Sequence, residues 1–255
     1  MARVSGSRIG AWWLLAATPV ILILTHYAAV LPHEFGHSFM AWALGLKPDP
    51  LNIHWGGSSI ANVLLLINID EHVDYSAAFD AGKNWQVAAV AFAGPGLANG
   101  GMLLLSRWGL TRRWLRSHSI AGYVLFWFYF FNVVNLYCYI PLRVFTTGDV
   151  HNFIRGTGIS PWAVYIVGTY VVAWAMVDLY RNALPWVLAT CGFRKAPQRA
   201  IMLVLVTLIA FVYYDVPALM KDDVATTLLA RTSLALVPVV LLFNWRQIVG
   251  SRSRH

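Results

Sequence analysis

The chain has 255 residues, of which 58% are hydrophobic and only 12% charged, where a soluble domain carries about 25% charged residues. Apolar runs of about 20 residues recur along it, the length that crosses a bilayer, which excludes an ordinary soluble fold. The net charge of +8 lies in short segments between those runs, as membrane topology requires, and forms no continuous basic stripe, so no nucleic-acid partner is expected.

The pattern predicts an all-α polytopic membrane protein with six spanning helices. The first runs from Gly10 to Leu46, too long for a hydrocarbon core of about 30 Å. Pro19 and Pro32 are its candidate kinks, because proline removes an intrahelical hydrogen bond. Arg3 and Arg8 precede the run as in a signal peptide, but no small-residue cleavage site follows, so a retained helix is expected. After it, Leu51 to Trp55 and Ser58 to Val63 flank Gly56-Gly57 and read as a small membrane-associated β-hairpin. The remaining spans are Trp85–Ser106, Ser119–Ile140, Pro161–Arg181, Ala200–Met220 and Val224–Trp245. Trp12, Trp13, Trp108, Trp114, Trp162 and Trp245 stand at span ends as interface anchors. Asp215 and Arg231 are expected to pair near the ends of the last two spans. Cys138 and Cys191 are too few for a disulfide framework.

Six spans put both termini on one side. That side holds Arg3, Arg8, Arg107, Arg112, Arg113, Arg116, Arg181, Arg194, Lys195, Arg199, Arg246, Arg252 and Arg254, against Lys47, Lys83, Arg143, Arg155 and Lys221 on the other. The positive-inside rule then makes both termini cytoplasmic. It also carries the first span outward, with His33 in the outer half of the bilayer.

Within that span lies His33-Glu34-Phe35-Gly36-His37. On a helix, residues four apart share a face, so the two imidazoles can hold one Zn²⁺ while the glutamate between them reaches the water that the metal activates. Three ionisable groups inside an apolar run are costly and are expected to be functional. A catalytic zinc takes three protein ligands and leaves one position open. Candidates for the third are His26, His54, Asp70, His72, Asp149 and His151. Asp149, after the third span, is the best of them. His26 stands about 10 Å along the axis from His33, too far to share an ion.

Three segments resemble the site-2 protease family of intramembrane zinc metalloproteases. They are Pro32 to Phe39 with the small-residue tail Ala43 to Leu46, then Ala93-Gly94-Pro95-Gly96-Leu97-Ala98-Asn99, then Asn135 to Asp149 with Pro141 between. The resemblance covers residues 10–155. It implies that His33, His37 and Asp149 bind zinc, that Glu34 is the general base, and that Asn135 holds the substrate backbone or an oxyanion. It also implies a membrane-associated β-element where the hairpin is expected. Residues 1–155 would be the metalloprotease-like core and 156–255 three further helices of the same membrane domain. Val150 stands where the family has glycine, and the stretch from Asn135 to Asp149 is longer than in the familiar members, which keeps His151 open as a substitute ligand.

The expected activity is hydrolysis of a peptide bond in or near a transmembrane segment of a protein substrate within the lipid bilayer. The alternative is a non-catalytic zinc-binding membrane protein with a binding or regulatory role. Glu34 argues against it, since a structural zinc needs no base and has four protein ligands. A transporter would be expected to carry internal repeats, and the sequence has none.

Overall fold

The computed structural model describes residues 10–213, 215, 219 and 224–250. Arg3, Arg8, Lys221, Arg252 and Arg254, used above to orient the chain, lie outside them, as does part of the loop that closes the expected fifth span. The described residues form an all-α fold with five helices long and apolar enough to cross a membrane.

Helix α1, Ala11–Ala43, is 33 residues long and continuous through Pro19 and Pro32. Its length is about 50 Å. It stops where Gly45 takes a φ of 68°, a left-handed conformation open to glycine, and the Leu46 amide bonds back to the Ala41 carbonyl at 2.8 Å.

The chain then turns back along α1. No strand forms here among the described residues, and the β-hairpin expected at 51–63 is absent. His54 instead pairs with Asp70 in a single antiparallel bridge, each amide bonding the other's carbonyl at 3.0 Å. Gly56 and Gly57, both at positive φ, steer the backbone into a short helix, α2 (Ile60–Leu65). Its first turn is capped by Ser59, and the Asn62 amide donates to the Trp55 and Gly57 carbonyls at 2.6 and 2.8 Å and accepts from the Asn68 amide at 3.0 Å. One buried side chain thus satisfies the backbone groups that a ladder would have paired. Tyr27 donates to the Val63 carbonyl, and His26 Nε2 meets the Leu65 carbonyl at 2.8 Å. These contacts fall 16 or 17 residues before the end of α1, about 25 Å back along it. The segment is therefore re-entrant, with Ile60, Val63, Leu64 and Ile67 facing outward.

Lys47 anchors the segment at its start. Its buried ammonium donates to Ser38 Oγ at 2.8 Å, to the Asn52 carbonyl at 2.5 Å and to the Glu71 carbonyl. Helix α3, Tyr75–Asp80, follows with Asp74 as its cap. Helix α4 spans Asn84–Leu110. The Gly94-Pro95-Gly96 run does not break it, because Ala93–Asn99 widens into a π-helical turn.

Helix α5, Ser119–Tyr139, is the centre of the bundle. Tyr123, Phe126, Trp127, Tyr129 and Phe130 are fully buried on it. Around it, one apolar cluster joins side chains of α1, α4 and the C-terminal helices. Helix α6, Asp149–Thr157, is short and lies against α4. Helix α7 runs from Pro161 to Thr190, nine residues beyond the expected end at Arg181. A π turn at Leu179–Ala183 and the pairing of Asp178 with Arg107 let it continue. Helix α8, Ala196–Val212, is apolar but shorter than the other five, and α9 is Val224–Ile248.

The expected Asp215–Arg231 pair does not form. Asp215 is buried and accepts from Tyr137 at 3.2 Å, while Arg231 is exposed. The six tryptophans taken as interface anchors are all exposed.

Candidate metal centre

Helical spacing places His33 and His37 on one face of α1, both buried. Asp149, the first residue of α6, faces them. The three side chains form the group of ligand atoms able to hold a metal ion. His33 Nε2 and His37 Nε2 stand 3.1 Å apart, and Asp149 Oδ2 lies 3.3 Å from each. Tetrahedral zinc with bonds of about 2.0–2.1 Å needs ligand atoms about 3.3 Å apart. The triangle fits that requirement on all three edges.

The remaining ring nitrogens fix which atoms face the centre. His37 Nδ1 donates to the Val90 carbonyl at 2.6 Å. His33 Nδ1 donates to Asn99 Oδ1, also at 2.6 Å. The Asn99 amide is oriented in turn, because its Nδ2 donates to the Ala29 carbonyl at 3.1 Å and to Asn132 Oδ1 at 3.0 Å. Asn132 Nδ2 donates to the Phe128 carbonyl at 2.8 Å. Both imidazoles therefore turn an Nε2 lone pair toward the same point as a carboxylate oxygen. A proton on one ring bridges one pair of these atoms. A divalent cation satisfies all three.

The Asp149 carboxyl is half-buried, which opposes its charge, but the facing His37 and His33 rings outweigh this and hold it below the usual carboxylate range. Sign and geometry agree: the group is anionic at neutral pH and presents one oxygen to the imidazoles. Glu34, also buried, places Oε1 4.0 Å from His33 Nε2, beside the triangle rather than in it.

Backbone packing makes room for this centre. A Cβ on Gly94 would lie 2.1 Å from His37 Nε2, so only glycine lets the π turn of α4 approach that ring. Gly36 is the milder counterpart, with Ala93 O at 3.1 Å from the position of its Cβ. The Tyr139 ring stacks on His33, centroids 4.8 Å apart.

Of the sequence candidates, His33, His37, Asp149 and Glu34 come together, and the others do not join them. His26 is engaged with Leu65 and packs on Phe131. His54 pairs with Asp70 at 2.9 Å on the surface. His72 and His151 are exposed. Asn135 is buried on α5, the helix that also carries Asn132. Sequence reasoning gave Asn99 only a place in a family pattern, and Asn132 and Tyr139 no role. The available signal was two asparagines, Asn132 and Asn135, inside a strongly apolar span, where an amide must find a partner.

A second polar cluster stands where the re-entrant segment returns. Tyr75 donates to the buried Glu71 carboxylate. Burial and that carboxylate push the Tyr75 phenol well above its ordinary range, so it stays neutral.

No family model, no curated protein and no solved structure matches the chain.

Proposed function

We propose that the protein is an intramembrane zinc metalloprotease that cleaves a peptide bond in or near a transmembrane segment of another membrane protein. The observation that carries this reading is the converging triangle of His33 Nε2, His37 Nε2 and Asp149 Oδ2 with the Glu34 carboxylate at its edge. Three protein ligands leave a fourth position open, as in catalytic rather than structural zinc sites. A zinc ion held there supplies Lewis acidity that brings the pKa of a water to about 7.

The chain's own groups supply the rest. Glu34 Oε1 takes the proton of the attacking water and returns it to the departing amine nitrogen, the ordinary duty of a general base that becomes an acid. Asn99 and the Val90 carbonyl hold the two rings in the ligating tautomer. Asn135, through the resemblance to the site-2 protease family, is assigned to the substrate backbone or the oxyanion. The re-entrant segment, with its His54–Asp70 bridge and exposed apolar residues, offers an edge along which an unwound substrate can lie. The lipid bilayer and a transmembrane protein are then the partners.

The test is Glu34→Gln beside wild type. Both purified proteins are expected to hold one zinc per chain, and only wild type to cleave a transmembrane-peptide library in proteoliposomes, with the variant slower by at least about a hundredfold. Zinc bound equally with no cleavage by either protein points to the non-catalytic reading. Cleavage that survives in Glu34→Gln removes the assigned mechanism.

A further inference from the structure

Beside the metal centre, α4, α5, α6 and α7 line a partly open pocket of about 110 Å³. Its walls include Ala91, Phe92, Pro95, Leu136, Val150 and Val164, and every lining side chain is apolar. It shares backbone with the centre on three sides. Val150 follows the ligand Asp149. Ala91 follows Val90, whose carbonyl orients His37. Pro95 follows Gly94, the residue that touches the His37 ring. No side chain among the described residues fills the space. A pocket with purely apolar walls favours apolar groups, as an engineered apolar cavity of about 150 Å³ binds benzene.

We propose that this cavity is a specificity pocket that receives one branched aliphatic side chain of the substrate next to the cleaved bond. The proposal rests on the metalloprotease reading of the same site. Its physical basis is that the site's polar atoms can position a peptide bond but cannot tell one residue from another. The cavity is the adjoining feature with a defined size, and filling it repays the cost of bringing a substrate chain out of helix. A leucine, isoleucine or valine suits the volume, alanine leaves it empty, and tryptophan exceeds it. Such a pocket selects the aliphatic residues that dominate transmembrane segments, and within them a cleavage position.

The probes are peptide hydroxamates that differ in one side chain, alanine, leucine or homophenylalanine, at the position next to the metal-binding group. Their affinity is measured by calorimetry on the zinc-loaded, detergent-purified full chain. Wild type is expected to bind the leucine compound at least about tenfold more tightly than the alanine compound. Val164→Phe, which fills the cavity, should erase that preference and keep the alanine compound's affinity. Phe153→Ala, which removes a further wall residue and enlarges it, should gain about tenfold for homophenylalanine, a gain that misfolding does not produce. Both hydroxamates binding wild type equally would overturn the pocket and leave the metal-centre reading standing. Neither binding would overturn the metalloprotease reading and the pocket with it.

Discussion

At the scale of single residues, the centre depends on groups that never touch a metal. Asn99 is the clearest case. Its amide fixes the His33 ring, and its own orientation is fixed by Ala29 and Asn132. Replacing it with leucine removes the acceptor for Nδ1–H and lets the ring take either tautomer. Partners of this kind are worth about 10–100-fold in metal affinity, so Asn99→Leu is expected to weaken zinc by that factor in a chelator competition, with the fold retained. Gly94 gives a sharper outcome. A methyl at 2.1 Å from His37 Nε2 occupies the ligand position itself, so Gly94→Ala should abolish stoichiometric zinc, measured by elemental mass spectrometry on purified protein. Gly36→Ala, whose Cβ meets Ala93 O at 3.1 Å, should keep most of it. The sequence carried His33, Glu34 and His37 legibly as a candidate site, because two histidines and a glutamate at helical spacing inside an apolar run have little other use, while Asp149 was one of several candidates for the third position. It did not carry the amide relay, since which asparagine meets which histidine is set by how α4 and α5 pack on α1.

At the scale of elements, five of the six expected spans are helices long and apolar enough to cross a membrane, and hydropathy located them but not their ends. The fourth span was expected to stop at Arg181, yet α7 continues to Thr190. Asp178 explains this. It accepts from Arg107 Nε at 2.6 Å and Nη2 at 3.0 Å, from Tyr129 at 2.8 Å and from Asn182 at 2.8 Å. Its charge is satisfied by three elements, so the helix need not end to solvate it. The hairpin at 51–63 misled for a related reason. Gly-Gly between two β-prone runs signals a turn, but Ser59 and Asn62 convert it into a capped helix, and the partner of His54 lies at Asp70. The Arg107–Asp178 pair therefore clasps α4, α5 and α7, with the Asp178 side chain 8% exposed and that of Arg107 28%. Asp178→Ala strands a half-buried guanidinium, and breaking such pairs costs about 3–5 kcal/mol; partial exposure of Arg107 puts the expected loss near the lower bound. It should appear as a lowered unfolding temperature in detergent, with zinc stoichiometry unchanged. Removing both charges together, as Arg107→Leu with Asp178→Leu, should recover much of the loss, an outcome that general damage to the fold would not give.

At the scale of the whole molecule, the contacts sort the loops into two ends. Cys191 Sγ meets the Ser119 carbonyl at 3.2 Å, and Arg181 reaches Gln247, so the loops around 111–118 and 191–195 and the end of α9 share one end of the bundle. The re-entrant segment, α3, α6 and Asp215 share the other, with His37 and His33 of the metal centre six and ten residues, about 9 and 15 Å, inside the tip of α1. The positive charge is concentrated at the first end, which the positive-inside rule makes cytoplasmic. Helix length alone does not decide this. Five helices meet the length to cross a membrane and α8 falls short, and an odd number of crossings would put the two chain ends on opposite faces. Among the described residues, α8 runs from Lys195 at the basic end toward the Tyr137–Asp215 bond at the metal-centre end. The expectation is therefore specific. In intact cells, an impermeant maleimide should label Ser76→Cys, exposed on α3, and should not label Ser117→Cys, exposed in the basic loop, until the membrane is opened. The reverse pattern would invert the molecule, place the metal centre in the cytoplasmic half of the bilayer and make the charge asymmetry a feature of the outer surface. In the expected orientation the triangle lies toward the outer half of the bilayer. Substrates would then be cut in their outer half.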